Sequence, residues 1–144
     1  MSEANKAVAL EFLRAMSEGD AEAQGRCLTP DAETLTKGFG KVSGRRDAAT
    51  MLATVDAFRK IVPTGFRPKV HRVVAEGDNV VVEWEGHAVL SNGAPYCNQY
   101  VFIFAFENGK IRQLNEYFCT VLADNTIYPL LAEMGNELAE GISG

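Results

Sequence analysis

The sequence has little cysteine, little histidine and no long apolar run, and each scarcity removes a class of function. Its three cysteines, Cys27, Cys97 and Cys119, are an odd set with neither a Cys-x-x-Cys pair nor metal-ligand spacing. That excludes a disulfide framework and fits reduced thiols in a cytoplasmic protein. The two histidines could meet Cys119 and some acids in space, but no spacing favours a metal, and no metal or other cofactor is expected. No apolar stretch approaches membrane-spanning length. The opening "MSEANKAVALEFL" has an early acid and a broken apolar pattern, so it does not read as a signal peptide. Positive charge is also short: 14 Lys and Arg against 19 Asp and Glu give a net charge of −5. The pair Arg45-Arg46 and the run "FRPKVHR" make no basic stripe, which argues against nucleic-acid and anionic-membrane partners.

What is present is an ordinary globular composition, 47% hydrophobic and 23% charged over 144 residues, enough for one domain with one core. Residues 2 to 18 read as an amphipathic helix, with Val8, Phe12 and Met16 at fourfold spacing and Ala9 and Leu13 alongside. "EGD" at 18 to 20 breaks it, and a short second helix runs to about Cys27 or Leu28. "DAETLTKGF" is expected as a short extended segment. A third helix is expected from about Gly44 to Val62, capped by Ser43, with Met51, Leu52, Val55, Phe58, Ile61 and Val62 on one face and Pro63 stopping it.

The period then becomes strand-like. Two strands flank a turn at "EGDN", and two more flank Asn108-Gly109, the strongest hairpin signal in the chain. A last helix is expected from Tyr128 or Pro129 to about Glu140, with Leu130, Leu131, Met134 and Leu138 on one side. Helices followed by a long meander give an α+β fold in which a curved antiparallel sheet is covered on one face by three helices. Such a sheet makes a cone whose open end is a natural small-molecule pocket.

Three stretches carry a family resemblance: "FLRAMSEGDAEA", "LTPDAE" with "GRRDAATML", and "YCNQYVFIFAFENGKIRQLNEYFCT". With the order of elements, they resemble the nuclear transport factor two-like superfamily, in its SnoaL-like and ketosteroid-isomerase-like branch. The resemblance covers about residues 3 to 122, leaving a helical tail at 123 to 144 of a single domain spanning 1 to 144. It implies the cone-shaped, cystatin-like α+β barrel and a homodimer paired through its sheet. It is weak for function, because the fold hosts isomerases, cyclases, epoxide hydrolases, dehydratases and non-catalytic modules. Ketosteroid isomerase uses an aspartate base with a tyrosine and a protonated acid. By ungapped alignment those positions hold Thr36, Phe12 and Phe102, so that mechanism is not expected. Many SnoaL-like relatives carry Asp where this chain has Cys119.

Alternation sorts the candidate residues. Asn98, Tyr100, Phe102 and Phe104 share one face of their strand, opposite Cys97, Gln99, Val101 and Ile103. On the next strand the alignment turns Leu114, Glu116 and Phe118 inward. Glu116 is then expected in the cavity, within hydrogen-bond reach of Asn98 or Tyr100, with a pKa raised by apolar burial. The plainer alternative is a rim glutamate facing water or a basic residue. Asn98 and Tyr100 are candidates to orient a ligand oxygen, or else a structural pair where the sheet bends.

Trp84 shares a face with Val80, Val82 and Ala88, as a core residue or a pocket wall. A bulge there would instead turn Glu85 and His87 inward. His71 reads as a surface histidine. Cys119 has no basic neighbour to activate it and is expected as a small buried or interface residue. "GFGKVSG" lacks phosphate-loop spacing, and its glycines fit a flap over the pocket.

The expected function is therefore binding of a hydrophobic, cyclic or polyketide-like small molecule in a pocket walled by Phe12, Val55, Phe58, Trp84, Phe102, Phe104 and Phe118. Isomerisation, cyclisation or hydration would use Glu116 as proton carrier and Asn98 with Tyr100 as orienters. The rival is a non-catalytic ligand-binding or dimerisation module.

Overall fold

A computed structural model describes residues 2–134. Four helices and six strands follow in the order α1 (Ser2–Glu18), α2 (Ala21–Arg26), β1 (Leu28–Thr36), β2 (Gly44–Asp47), α3 (Ala48–Ile61), β3 (Lys69–Glu76), β4 (Asn79–Val89), β5 (Pro95–Glu107), β6 (Lys110–Phe118) and α4 (Thr120–Glu133). The strands form one sheet in the order β2-β1-β6-β5-β4-β3, with β1 parallel to β6 and every other pairing antiparallel. The sheet is curved and unclosed. Register shifts between Leu28 and Glu33, between Val70 and Arg72, and between Ala105 and Phe106 supply bends. At the β5–β6 turn, Asn108 and Gly109 both take positive φ, 52° and 80°, the paired left-handed residues that a two-residue hairpin needs.

The inner face carries the core. Along β4 and β5 buried and more exposed residues alternate, so that Val80, Val82, Trp84, Phe102, Phe104 and Phe106 are all buried. α1 presses Ala9, Phe12 and Leu13 onto this face, with the Phe12 and Phe104 rings edge-to-face at 5.7 Å. Each large apolar side chain so buried contributes about 1.5–3 kcal/mol. Trp84 points into this core, and β4 keeps an unbroken register with β5, so no bulge reverses its alternation. Glu85 and His87 therefore lie on the outer face, where Glu85 stands 3.4 Å from His87 and 3.5 Å from His71.

Two elements differ from the sequence expectation. Residues 44–47 are an edge strand paired with β1, not the start of α3. The helix begins at Ala48 because Asp47 caps it, its carboxylate accepting from the Thr50 amide at 2.8 Å. Ser43 instead holds the preceding loop, accepting from the Gly40 amide and donating to the Lys37 carbonyl. The last helix starts at Thr120, not Tyr128, and carries Pro129 in its interior. Its start is hidden in the sequence because Cys119, at the cap position, makes no side-chain capping bond. Ala123, Ile127 and Leu131 are its buried stripe. The expected continuation to Glu140, including Leu138, lies outside the described residues. Among those residues no helix is long and apolar enough to cross a membrane.

Candidate functional site

The inner face of the sheet and the helices line a partly open cavity of about 140 Å³. Phe12, Met16 and Gln24 reach it from α1 and α2, and Met51, Val55 and Phe58 from α3. Trp84, Tyr100, Phe102, Leu114, Glu116 and Phe118 form its sheet wall, while Ala123, Ile127 and Leu131 of α4 close it. Aromatic rings pack along the sheet wall: the Trp84 and Tyr100 rings stack at 4.0 Å and 8°, and Phe102 meets Trp84 edge-on at 5.2 Å. Of the expected lining residues, Phe104 and Asn98 are not in the wall. Phe104 sits one layer behind, fully buried between Phe12, Phe102 and Phe106.

Glu116 is positioned by three strands. Its β6 register places it opposite Thr36 on one side and Phe102 on the other. Oε1 accepts a hydrogen bond from the Thr36 hydroxyl at 2.7 Å. Arg46, inward on β2, donates from Nη1 to the same hydroxyl oxygen at 2.9 Å and from Nη2 to the Val42 carbonyl at 2.7 Å. The result is a relay Arg46–Thr36–Glu116 along one side of the cavity. Glu116 keeps some accessible surface because it lines that cavity, yet protein surrounds it. Desolvation therefore raises its pKa above the ordinary value, against the opposing pull of the Thr36 hydrogen bond and the Arg46 charge. Burial likewise lowers the Arg46 pKa, opposed by the charge of Glu116.

The expected hydrogen bond from Glu116 to Asn98 or Tyr100 is not made; Thr36 takes that place. Asn98 is engaged elsewhere. Its Nδ2 donates to the Tyr96 phenol at 2.8 Å and to the Cys119 carbonyl at 3.1 Å. Its Oδ1 accepts from the Gln99 amide at 2.8 Å and the Cys119 amide at 3.2 Å. Asn98 thus fastens the end of β6 to β5 at the start of α4. Tyr100 donates to the Tyr96 phenol at 3.1 Å, and burial pushes both phenols above their usual pKa, Tyr100 the further. Cys119 is exposed, not buried, its backbone held by Asn98. The loop 37–43 lies beside α4, where the Lys41 amide donates to Asp124 Oδ1 at 2.8 Å.

Sequence reasoning missed Arg46, the hydroxyl role of Thr36, Gln24 and Tyr96. Tyr96 was findable, because it precedes Asn98 by one alternation on the same face. Arg46 was hidden by the helix expected over it. As a strand, "GRRD" turns Arg45 outward to an ion pair with Glu33 at 3.0 Å and Arg46 inward. Among the described residues no group of His, Cys, Asp and Glu is placed to hold a metal ion.

Comparison with known proteins agrees with this architecture. An NTF2-like protein of unknown function from Burkholderia pseudomallei is 18% identical, with a TM-score of 0.74, covering 86% of this chain and 97% of its own. An LEH-like epoxide hydrolase from M. tuberculosis is 20% identical, with a TM-score of 0.72, covering 93% and 97%. TerC, co-crystallized with polyporic acid, is 19% identical, with a TM-score of 0.73, covering 86% and 98%. No curated protein matches the chain in sequence. The model of the SnoaL-like domain matches residues 9–114, and the chain belongs to that family.

Proposed function

We propose that this protein binds a small hydrophobic cyclic molecule in the cone and acts on it by acid/base chemistry, with Glu116 as the proton carrier. One observation carries the reading: among the described residues a single carboxyl, Glu116, lines a largely apolar cavity, held by Thr36 and raised in pKa by burial. A carboxyl whose pKa is raised by burial can take a proton from a substrate and return it elsewhere. Isomerisation, cyclisation or hydration each need only such a carrier and a group that orients the substrate oxygen. Tyr100, with Tyr96 behind it, is the orienter in this reading, and Asn98 acts by fixing Tyr96. Fold neighbours that include an epoxide hydrolase and a protein crystallized with polyporic acid support small-molecule binding in such a cone.

The second reading is a non-catalytic module, and the cavity itself favours it at one point. Phe12, Thr36 and Phe102, where ketosteroid isomerase has its chemical groups, all line the cavity without a carboxyl or a phenol. In either reading the chain pairs as a homodimer through the outer sheet face, where Val74 and Tyr117 are exposed and Val101 and Ile103 half-buried. Three free thiols suit a reducing, cytoplasmic compartment.

A thermal-shift screen of cyclic ketones, epoxides and phenols on wild type and Glu116→Gln tests the reading. A ligand that stabilises both proteins but is turned over only by wild type establishes it. Turnover unchanged in Glu116→Gln refutes it, and ligands that stabilise both without turnover leave the binding module.

A further inference from the structure

Three of the four buried side-chain polar atoms without a partner among the described residues belong to residues lining the cavity: Arg46 Nε, Trp84 Nε1 and Gln24 Oε1. Folded proteins pair nearly all such atoms, and each exception asks for an explanation. These atoms are themselves closed off from the cavity, so it is the side chains that line it, Arg46 above all, that bear on a ligand. Arg46 is the most demanding of the three. It is 9% exposed, and its guanidinium keeps its charge. Its own partners are a hydroxyl and a backbone carbonyl, and the Glu116 carboxylate reaches it only through Thr36. A buried cation with no anion in contact is unfavourable, and an oxyanion is what the guanidinium calls for.

We propose that Arg46 is an anion anchor and that the ligand is a small ring-bearing carboxylic acid, its carboxylate on Arg46 and its ring against Trp84, Tyr100 and Phe102. This rests on the ligand-binding reading above and narrows it to a substrate class. The volume agrees, since about 140 Å³ is close to that of an engineered cavity that takes one benzene ring. Arg46 is the one cation on the cavity wall among the described residues, and its neighbours there include the Trp84, Tyr100 and Phe102 rings. A carboxylate seated on Arg46 lies near Glu116 and favours its protonated form, so that binding takes up a proton there. The other titratable groups on the wall are Tyr96 and Tyr100, and α1, α3 and α4 contribute no charged side chain to it among the described residues.

The test is titration of the full chain with benzoate and with neutral benzamide, read by the fluorescence of the single tryptophan, Trp84, and by calorimetry. Wild type should bind benzoate at least about tenfold tighter than benzamide. Arg46→Met should bring that ratio to about one, and Arg46→Lys, which keeps the charge, should retain part of it. Benzoate should bind tighter as the pH falls through the raised range in which Glu116 takes up its proton, and Glu116→Gln should bind it with no such dependence. Equal affinity for the two probes, binding of neither up to about 10 mM, or a benzoate preference that survives Arg46→Met each overturns the proposal. Should Arg46→Met not fold, the wild-type ratio and the Arg46→Lys variant decide. Carboxylate preference without Glu116-dependent turnover refutes the acid/base reading alone. Such turnover without the preference refutes the anion anchor alone.

Discussion

Replacing Thr36 by valine is the sharpest probe of the relay. The side chain is 5% exposed and its hydroxyl joins two charged groups, donating to Glu116 at 2.7 Å and accepting from Arg46 at 2.9 Å. Valine keeps the branched shape but puts a methyl where the hydroxyl was, so it can neither donate to Glu116 nor accept from Arg46. A hydrogen bond to a charged group contributes about 1.5–3 kcal/mol, and here two are lost while both partners remain buried. The added methyl offsets about 1 kcal/mol. Thr36→Val should therefore lose about 2–5 kcal/mol at neutral pH, which for a chain of this size lowers Tm by roughly 6–15 °C. Urea melts of wild type, Thr36→Val, Glu116→Gln and the double variant at neutral and acidic pH measure it. The deficit should shrink in the Glu116→Gln background and at acidic pH, where no ionised carboxylate needs the hydroxyl. A loss below about 1 kcal/mol, or one that is the same in both backgrounds, would show that the relay is not coupled.

Three further outcomes are expected. Burial holds the Glu116 carboxyl above its ordinary 4.5, so over the interval between that value and the raised one the folded state binds a proton that the unfolded chain has released. The stability this proton contributes is fully present below the ordinary value and is lost as the pH rises through the raised one. Chemical denaturation across that range should show Glu116→Gln gaining on wild type as the pH rises, then a constant difference. Asn98→Ala removes side-chain bonds to Tyr96, Gln99 and Cys119 and should cost about 2–3 kcal/mol, with faster hydrogen exchange at the Cys119 amide. Asp124→Ala frees the Lys41 amide of the 37–43 loop; stability should change by less than about 1 kcal/mol while exchange at Lys41 accelerates.

Local pattern determined much of this protein. Fourfold spacing marked the faces of α1 and α3, and Asn108-Gly109 fixed the β5–β6 hairpin. Strict alternation along β4 and β5 set which side chains face inward, which is why Trp84 and Phe102 were legible, whereas the inward parity of Glu116 on β6 came from the family resemblance. These features depend on neighbours within one element, and a one-dimensional string contains them.

Tertiary structure decided what depends on pairing between distant segments. Thr36 and Glu116 meet only because β1 adds parallel to β6, eighty residues away in sequence. Arg46 turns inward only because residues 44–47 pair with β1 instead of continuing the helix. The start of α4 carried no capping side chain, and its stripe of Ala123, Ile127 and Leu131 reads as core-facing only once the sheet beneath it exists. A candidate carboxyl, Glu116, came with the family resemblance; the hydroxyl and guanidinium that hold it were products of the fold.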